Sequence, residues 1–218
     1  MSERALELKT SRGPLPARFG LPEQATATLV VAHGAGSGMA SPFVAGFCAA
    51  ARELGLATLR FDFPYMAEGR KAPDRPPLLI ESSVAAFEAA SRRGPAPVLA
   101  CGKSMGGRIG SMAVAEGMPA DGLAFLGYPL HPPGAPEKIR DAHIYQIAVP
   151  MLFLQGSRDA FARPDLLHRV VSQLVDRATL VEISDADHSF RVPGGPRDGA
   201  AIGASLAPRV AAFAATLA

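Results

Sequence analysis

An α/β fold, a mostly parallel central sheet flanked by helices on both faces, is predicted by three features of this 218-residue chain. Short apolar runs of strand length alternate with segments of helical length along the sequence. Those runs are almost continuously apolar, the pattern of strands covered on both faces, as parallel sheets require. Glycine (22) and proline (20) are abundant, have no period and fall between the runs. They mark tight connections and exclude a collagen repeat, while the apolar content excludes a disordered tail. The length suits one domain, residues 1–218, able to bury a substantial core.

Each element follows from its local chemistry. Residues 27–32 (Ala-Thr-Leu-Val-Val-Ala) form a β-branched run that stops at His33-Gly34-Ala35-Gly36-Ser37-Gly38. A helix is predicted over 42–54, with Pro42 in its first turn and Gly55 just past its end. Strand 56–61 ends at Asp62. The proline-rich stretch 64–77 reads as loop, and Ser82 or Ser83 as the cap of a helix to Arg93, with Val84, Phe87 and Ala90 at helical spacing. Pro97 opens the strand 98–101, which runs into Gly102-Lys103-Ser104-Met105-Gly106-Gly107 and a helix to about 116. Strand 122–127 precedes the loop Tyr128-Pro129-Leu130-His131-Pro132-Pro133-Gly134. Strand 151–155 meets the turn Gly156-Ser157-Arg158-Asp159, and a helix over 164–175 carries Leu166, Leu167, Val170, Val171 and Leu174 on one face. Strand 179–183 leads to Asp185-Ala186-Asp187-His188, and an alanine-rich helix covers 200–217.

Composition narrows the function. A net charge of +2 gives no footing for nucleic acid. Cys48 and Cys101 lie in apolar runs and read as buried free thiols rather than a disulfide framework. The charged start Met-Ser-Glu-Arg has no apolar core of a signal peptide, and no apolar run reaches the roughly 18 residues of a membrane span. A cytoplasmic protein without a membrane anchor is expected. No histidine pair has metal-binding spacing, so no metal is expected, and the serine chemistry reached below needs no cofactor.

In parallel sheets ligands bind beyond the carboxyl ends of the strands. The polar residues there are Asp62, Ser104, His131, Asp159 and His188, beside the 33–38 loop. Three glycine-bearing turns suggest three chemistries. G-x-G-x-x-G fails at 33–38, because the third glycine position is Met39 in one register and Ser41 in the other. A P-loop ending in Gly102-Lys103-Ser104 requires glycine at 97, where Pro97 stands. The remaining pattern, Gly102-x-Ser104-x-Gly106 between a buried strand and a helix, is a nucleophile elbow. The following helix aims its N-terminal N–H groups at the site. A serine hydroxyl needs a base and the base needs an orienting carboxylate. His188 and Asp159 each follow a later strand, in the order Ser, Asp, His that such a fold uses. The loop His33-Gly34-Ala35-Gly36 stands where a second oxyanion donor belongs.

These motifs resemble the α/β-hydrolase superfamily over essentially the whole chain, closest to small, lidless members related to dienelactone hydrolases. Arg60-Phe61-Asp62-Phe63-Pro64-Tyr65, Gly102-Lys103-Ser104-Met105-Gly106-Gly107-Arg108 and Asp187-His188-Ser189-Phe190 also look like a hydrolase subgroup that includes a mammalian testis-expressed protein. The resemblance implies an α/β-hydrolase fold without a cap domain, Ser104 as nucleophile, Asp159 as acid and His188 as base. It also implies the N–H groups of Ala35 and Met105 as the oxyanion hole. Dienelactone enzymes proper use cysteine as nucleophile where this elbow carries serine, so their substrate is not carried over.

The sequence thus predicts a serine hydrolase of a small soluble acyl substrate, the other class being a catalytically silent interaction module of the same fold. His33, Gly34, Phe63, Tyr65, His131 and Phe190 are expected to bind substrate, in an open site rimmed by the loops 63–77 and 129–136. Lys103 and Arg108 flank the elbow, as cations for an anionic substrate or as structural ion pairs. His168, beside Arg169, is expected on a solvated face.

Overall fold

A computed structural model describes residues 2–217. Its one sheet has eight strands: β1 (Arg4–Thr10), β2 (Gly13–Gly20), β3 (Ala27–Ala32), β4 (Leu56–Phe61), β5 (Val98–Lys103), β6 (Gly122–Leu126), β7 (Met151–Gly156) and β8 (Ala178–Ile183). Their order is β1-β2-β4-β3-β5-β6-β7-β8. β1 and β2 are antiparallel, as are β2 and β4, and every other pairing is parallel.

Among the described residues six α-helices accompany it: α1 (Pro42–Glu53), α2 (Pro64–Ala67), α3 (Pro76–Ser91), α4 (Met105–Ala115), α5 (Pro164–Gln173) and α6 (Gly199–Ala215). The two-residue period of β3 splits its side chains between two cores. Ala27, Leu29 and Val31 pack with Phe47 of α1 and Leu206 of α6. Val30 and Ala32 belong to the opposite core, which also holds Phe87 of α3, Ile109 of α4 and Val170 of α5. Both faces are therefore covered, which is why the central strands are apolar at every position. Cys48 and Cys101 are free and buried, the Cys48 thiol pushed up to about 12 by burial.

The order of strands reverses between β3 and β5: the chain leaves β3 for β4 on one side and returns to β5 on the other. A crevice opens beyond the carboxyl ends at such a point, and the loop after β3 and the elbow after β5 border it. Between β6 and β7 no cap is inserted; the segment holds a single 3-10 turn, Ile144–Gln146.

One element goes beyond the sequence expectations and two expectations need correction. The β1–β2 hairpin does not announce itself, because its strands alternate with exposed charged and proline positions and pattern weakly. The stretch 64–77 is not all loop: α2 and α3 both start on prolines, at Pro64 and Pro76. The first helical turn tolerates proline, having no use for its N–H. Ser82 and Ser83 are consequently not caps but sit within α3, their hydroxyls donating back to the carbonyls of Leu78 and Leu79 at 2.7 and 3.0 Å.

Candidate active site

The local backbone singles out Ser104. It joins β5 to α4 at φ 51°, ψ −117°, a conformation that few residues other than glycine adopt. Its hydroxyl makes no capping bond to α4. Instead Ser104 Oγ lies 2.8 Å from His188 Nε2, and His188 Nδ1 lies 2.7 Å from Asp159 Oδ2. The three side chains arrive from three loops, after β5, β7 and β8.

The carboxylate is fully determined. Asp159 is 4% exposed. Its Oδ1 accepts the Phe161 N–H at 2.7 Å, and its Oδ2 accepts from Gln155 Nε2 at 2.5 Å as well as facing the imidazole. Gln155 is oriented in turn, because its Oε1 accepts the Tyr128 N–H at 2.8 Å. Arg158, the neighbour that could have paired with Asp159, forms no ion pair among the described residues. The Phe161 ring packs against the imidazole, centroids 4.2 Å apart.

These groups open into a cavity of about 540 Å³ bordered by Gly34, Ala35, Lys103, Ser104, Phe161 and His188, with Pro42, Phe43 and Val44 at the start of α1. Ala35 therefore borders the site beside the elbow, and Met105 is the first residue of α4. A side chain at Gly34 would stand 3.7 Å from Ser104 Cβ, so this loop lies directly on the elbow.

Of the six residues expected to bind substrate, only Gly34 borders this cavity. His33, Phe63 and Tyr65 are wholly buried and form the scaffold of the 33–39 loop. His33 Nδ1 bonds the Gly34 carbonyl at 2.7 Å, and its Nε2 accepts the Phe63 N–H at 3.2 Å. The Tyr65 hydroxyl accepts the Gly36 N–H, and Asp62 Oδ1 accepts the Met39 N–H at 2.6 Å. His131 is 4% exposed and bonds the Pro132 carbonyl and the Arg163 N–H. Phe190 stacks on Phe43 behind the site. The rim is also not the pair of proline-rich loops: it is built by residues 34–44, Phe161 and the segment after His188. Phe161 and Phe43 escaped the sequence reading because neither stands at a strand end or in a motif.

Among the remaining ionisable groups, His168 is exposed and pairs with Glu182 at 3.0 Å. Arg108 does not border the cavity, and its guanidinium meets Met112 Sδ at 3.7 Å. His143 Nε2 bonds the buried Ser111 hydroxyl, which itself donates to the Arg108 carbonyl. That hydroxyl proton is thus committed to backbone. Among the described residues no group of three or more His, Cys, Asp or Glu is placed to hold a metal ion, and no helix is long and apolar enough to cross a membrane.

His33 supplies a pH-dependent element. Burial lowers its pKa, with the Gly34 carbonyl and Asp62 opposing. A histidine whose folded value lies below its unfolded value of about 6.5 contributes stability in full above that pH and loses it as pH falls through the lowered value. Urea unfolding is therefore expected to show a loss of stability as pH falls below about 6.5 that is smaller in His33→Gln. Equal losses in the two proteins would exclude His33 as the titrating group.

Comparison with known proteins agrees with this architecture. Residues 25–216 match the family described as alpha/beta hydrolase domain. An alpha-beta serine hydrolase homologue from Coxiella burnetii superposes with a TM-score of 0.75 at 19% identity, covering 98% of each chain. A lidless serine hydrolase from Xanthomonas campestris gives 0.74 at 22% identity, covering 98% of this chain and 96% of that one. A dienelactone hydrolase from Anabaena variabilis gives 0.77 at 22% identity, covering 97% and 96%. At these identities the likeness to solved structures concerns the fold.

Proposed function

We propose that this chain, which belongs to the α/β-hydrolase family, acts as one domain that hydrolyses an ester, thioester or similar acyl bond of a small substrate. The observation that carries the reading is the continuous chain from Ser104 Oγ through the imidazole to the Asp159 carboxylate, opening on a cavity. Ser104 attacks the carbonyl carbon as His188 Nε2 takes its proton. Asp159 holds the Nδ1–H tautomer and stabilises the imidazolium. The N–H groups of Ala35 and Met105 stabilise the oxyanion, each contributing about 3 kcal/mol. The tetrahedral intermediate collapses, His188 gives its proton to the leaving group, and water releases the acyl-enzyme by the same route. A cavity of about 540 Å³, apolar along Pro42, Phe43, Val44 and Phe161, suits a compact acyl group.

A fluorophosphonate probe is expected to label the wild-type protein once, on the peptide containing Ser104, as read by mass spectrometry. A panel of short-chain aryl esters, thioesters and lactones then names the preferred bond. A protein that takes up no probe and turns over no member of the panel would refute the hydrolase reading in favour of a silent interaction module.

A further inference from the structure

Lys103 stands immediately before Ser104 at the end of β5 and borders the same cavity. Among the described residues its ammonium forms no ion pair. Nζ donates a 2.7 Å hydrogen bond to the backbone carbonyl of His188. The same Nζ lies 5.4 Å from the ring centroid of Phe190 and 5.8 Å from that of Phe43, two rings stacked at 6.1 Å. Three features of the fold accommodate this placement. Phe190 adopts φ 60°, costly for an aromatic residue. Gly127 has φ 78°, and a Cβ there would approach Nζ to 3.2 Å and His188 Nδ1 to 3.6 Å. Asp187 Oδ1 is turned to the backbone, accepting the Ser189 and Arg191 N–H groups at 2.8 and 2.9 Å.

We infer that Lys103 is a positioning residue: its ammonium ties the loop carrying His188 to the strand that carries Ser104, and so sets the imidazole over the hydroxyl. The inference rests on the triad proposed above. The elbow and the base lie 84 residues apart in sequence, after β5 and after β8, two strands that do not pair with each other. The Lys103–His188 bond is a direct tether between those two loops, and the aromatic pair holds its cation by attraction to the ring faces. A neutral amine would still donate a hydrogen bond, but a weaker one without the cation–π component.

The charged groups around Lys103 give this tether a pH dependence. Burial holds the ammonium down to about 8, while Asp159 and Asp187 favour its charged form. His188 and Arg191 face the same space from the loop after β8, and Phe43 from α1. As pH rises through about 8 the cation is lost, and the tether slackens.

The test is the rate of fluorophosphonate labelling of Ser104 as a function of pH, beside kcat and KM for p-nitrophenyl acetate. Lys103→Met keeps the stem and removes the N–H and the charge. Labelling is expected to slow at least tenfold at pH 7, with kcat falling in proportion and KM within threefold of wild type. The wild-type labelling rate is expected to decline above about pH 8, and that decline should be absent in Lys103→Met. Lys103→Arg restores donor and charge; it should recover most of the rate and hold it beyond pH 9. Wild-type rate and pH profile in Lys103→Met would overturn the inference, as would an unchanged alkaline decline in Lys103→Arg. A wild-type protein that takes no probe at all would instead remove the triad on which the inference stands.

Discussion

Replacing Ser104 by alanine is expected to lower kcat for an activated aryl ester by about 10⁶-fold, and His188→Ala by a similar factor, while the double variant falls no further. The three groups act as a unit. Without the hydroxyl there is nothing for the imidazole to activate, and without the imidazole the hydroxyl keeps its proton. In the proposed mechanism what remains is attack by water helped by the backbone donors assigned to Ala35 and Met105. Asp159→Asn should be less severe, at about 10⁴-fold. The two carboxylate oxygens have committed partners, all donors: the Phe161 N–H on Oδ1, Gln155 Nε2 and the imidazole on Oδ2. A carboxamide must set its NH₂ against one of these sets. Turned toward Oδ2 it faces the glutamine N–H₂ and forces the other imidazole tautomer; turned toward Oδ1 it faces a backbone N–H and supplies no negative charge for the imidazolium. Steady-state turnover of p-nitrophenyl acetate measures all four variants. A Ser104→Ala protein within tenfold of wild type would place the chemistry elsewhere in the molecule.

Much of this site could be read in the sequence, for a physical reason. The central strands are buried on both faces, so their ends are the first places where polar side chains are tolerated. Ser104, Asp159 and His188 each stand at such an end, and their chain order matches a known fold. Of the helices with a proline in the first turn, those at Pro42 and Pro164 are legible, whereas α2 and α3 stand in the proline-crowded stretch 64–77, which reads as loop until each proline's position relative to the following apolar residues is weighed. The binding residues were the least legible. His33, Phe63 and Tyr65 look like site residues because they adjoin glycine-rich or polar turns, yet the 33–39 loop needs partners for its own backbone before it can present any to a substrate. His33, Asp62 and Tyr65 are those partners. Gln155 is the converse case. It sits inside an apolar strand as a buried polar residue, the one signal that could have marked it as the group that fixes Asp159.

Gly102→Ala is expected to destabilise the protein by about 3 kcal/mol and to abolish fluorophosphonate labelling of whatever remains folded. A Cβ at this position would lie 2.3 Å from the Gly107 nitrogen and 2.4 Å from the Gly106 carbonyl carbon. Both are backbone atoms of the first turn of α4, so no side-chain rotation relieves the overlap. Either β5 or α4 must shift, and Ser104 is the joint between them. Its left-handed backbone is held only because strand and helix are fixed on either side, so a shift of α4 releases that strain by moving the hydroxyl away from His188. Gly106 is constrained from the other direction, since a Cβ there would approach the Ala32 and His33 carbonyl oxygens to 2.5 and 2.6 Å. The two glycines of the elbow thus serve separate contacts, one between β5 and α4, the other between α4 and the end of β3. Gly110 tests the distinction within the same helix. A Cβ there meets only Ala100 Cβ, at 3.7 Å, which is ordinary contact. Gly110→Ala should therefore stabilise the protein by about 1 kcal/mol, through helix propensity, and label at the wild-type rate. Thermal unfolding and labelling of the two variants together separate the causes. If Gly102→Ala unfolds like wild type and still labels, α4 is free to move against β5, and the close approach at the elbow is not what holds Ser104 in place.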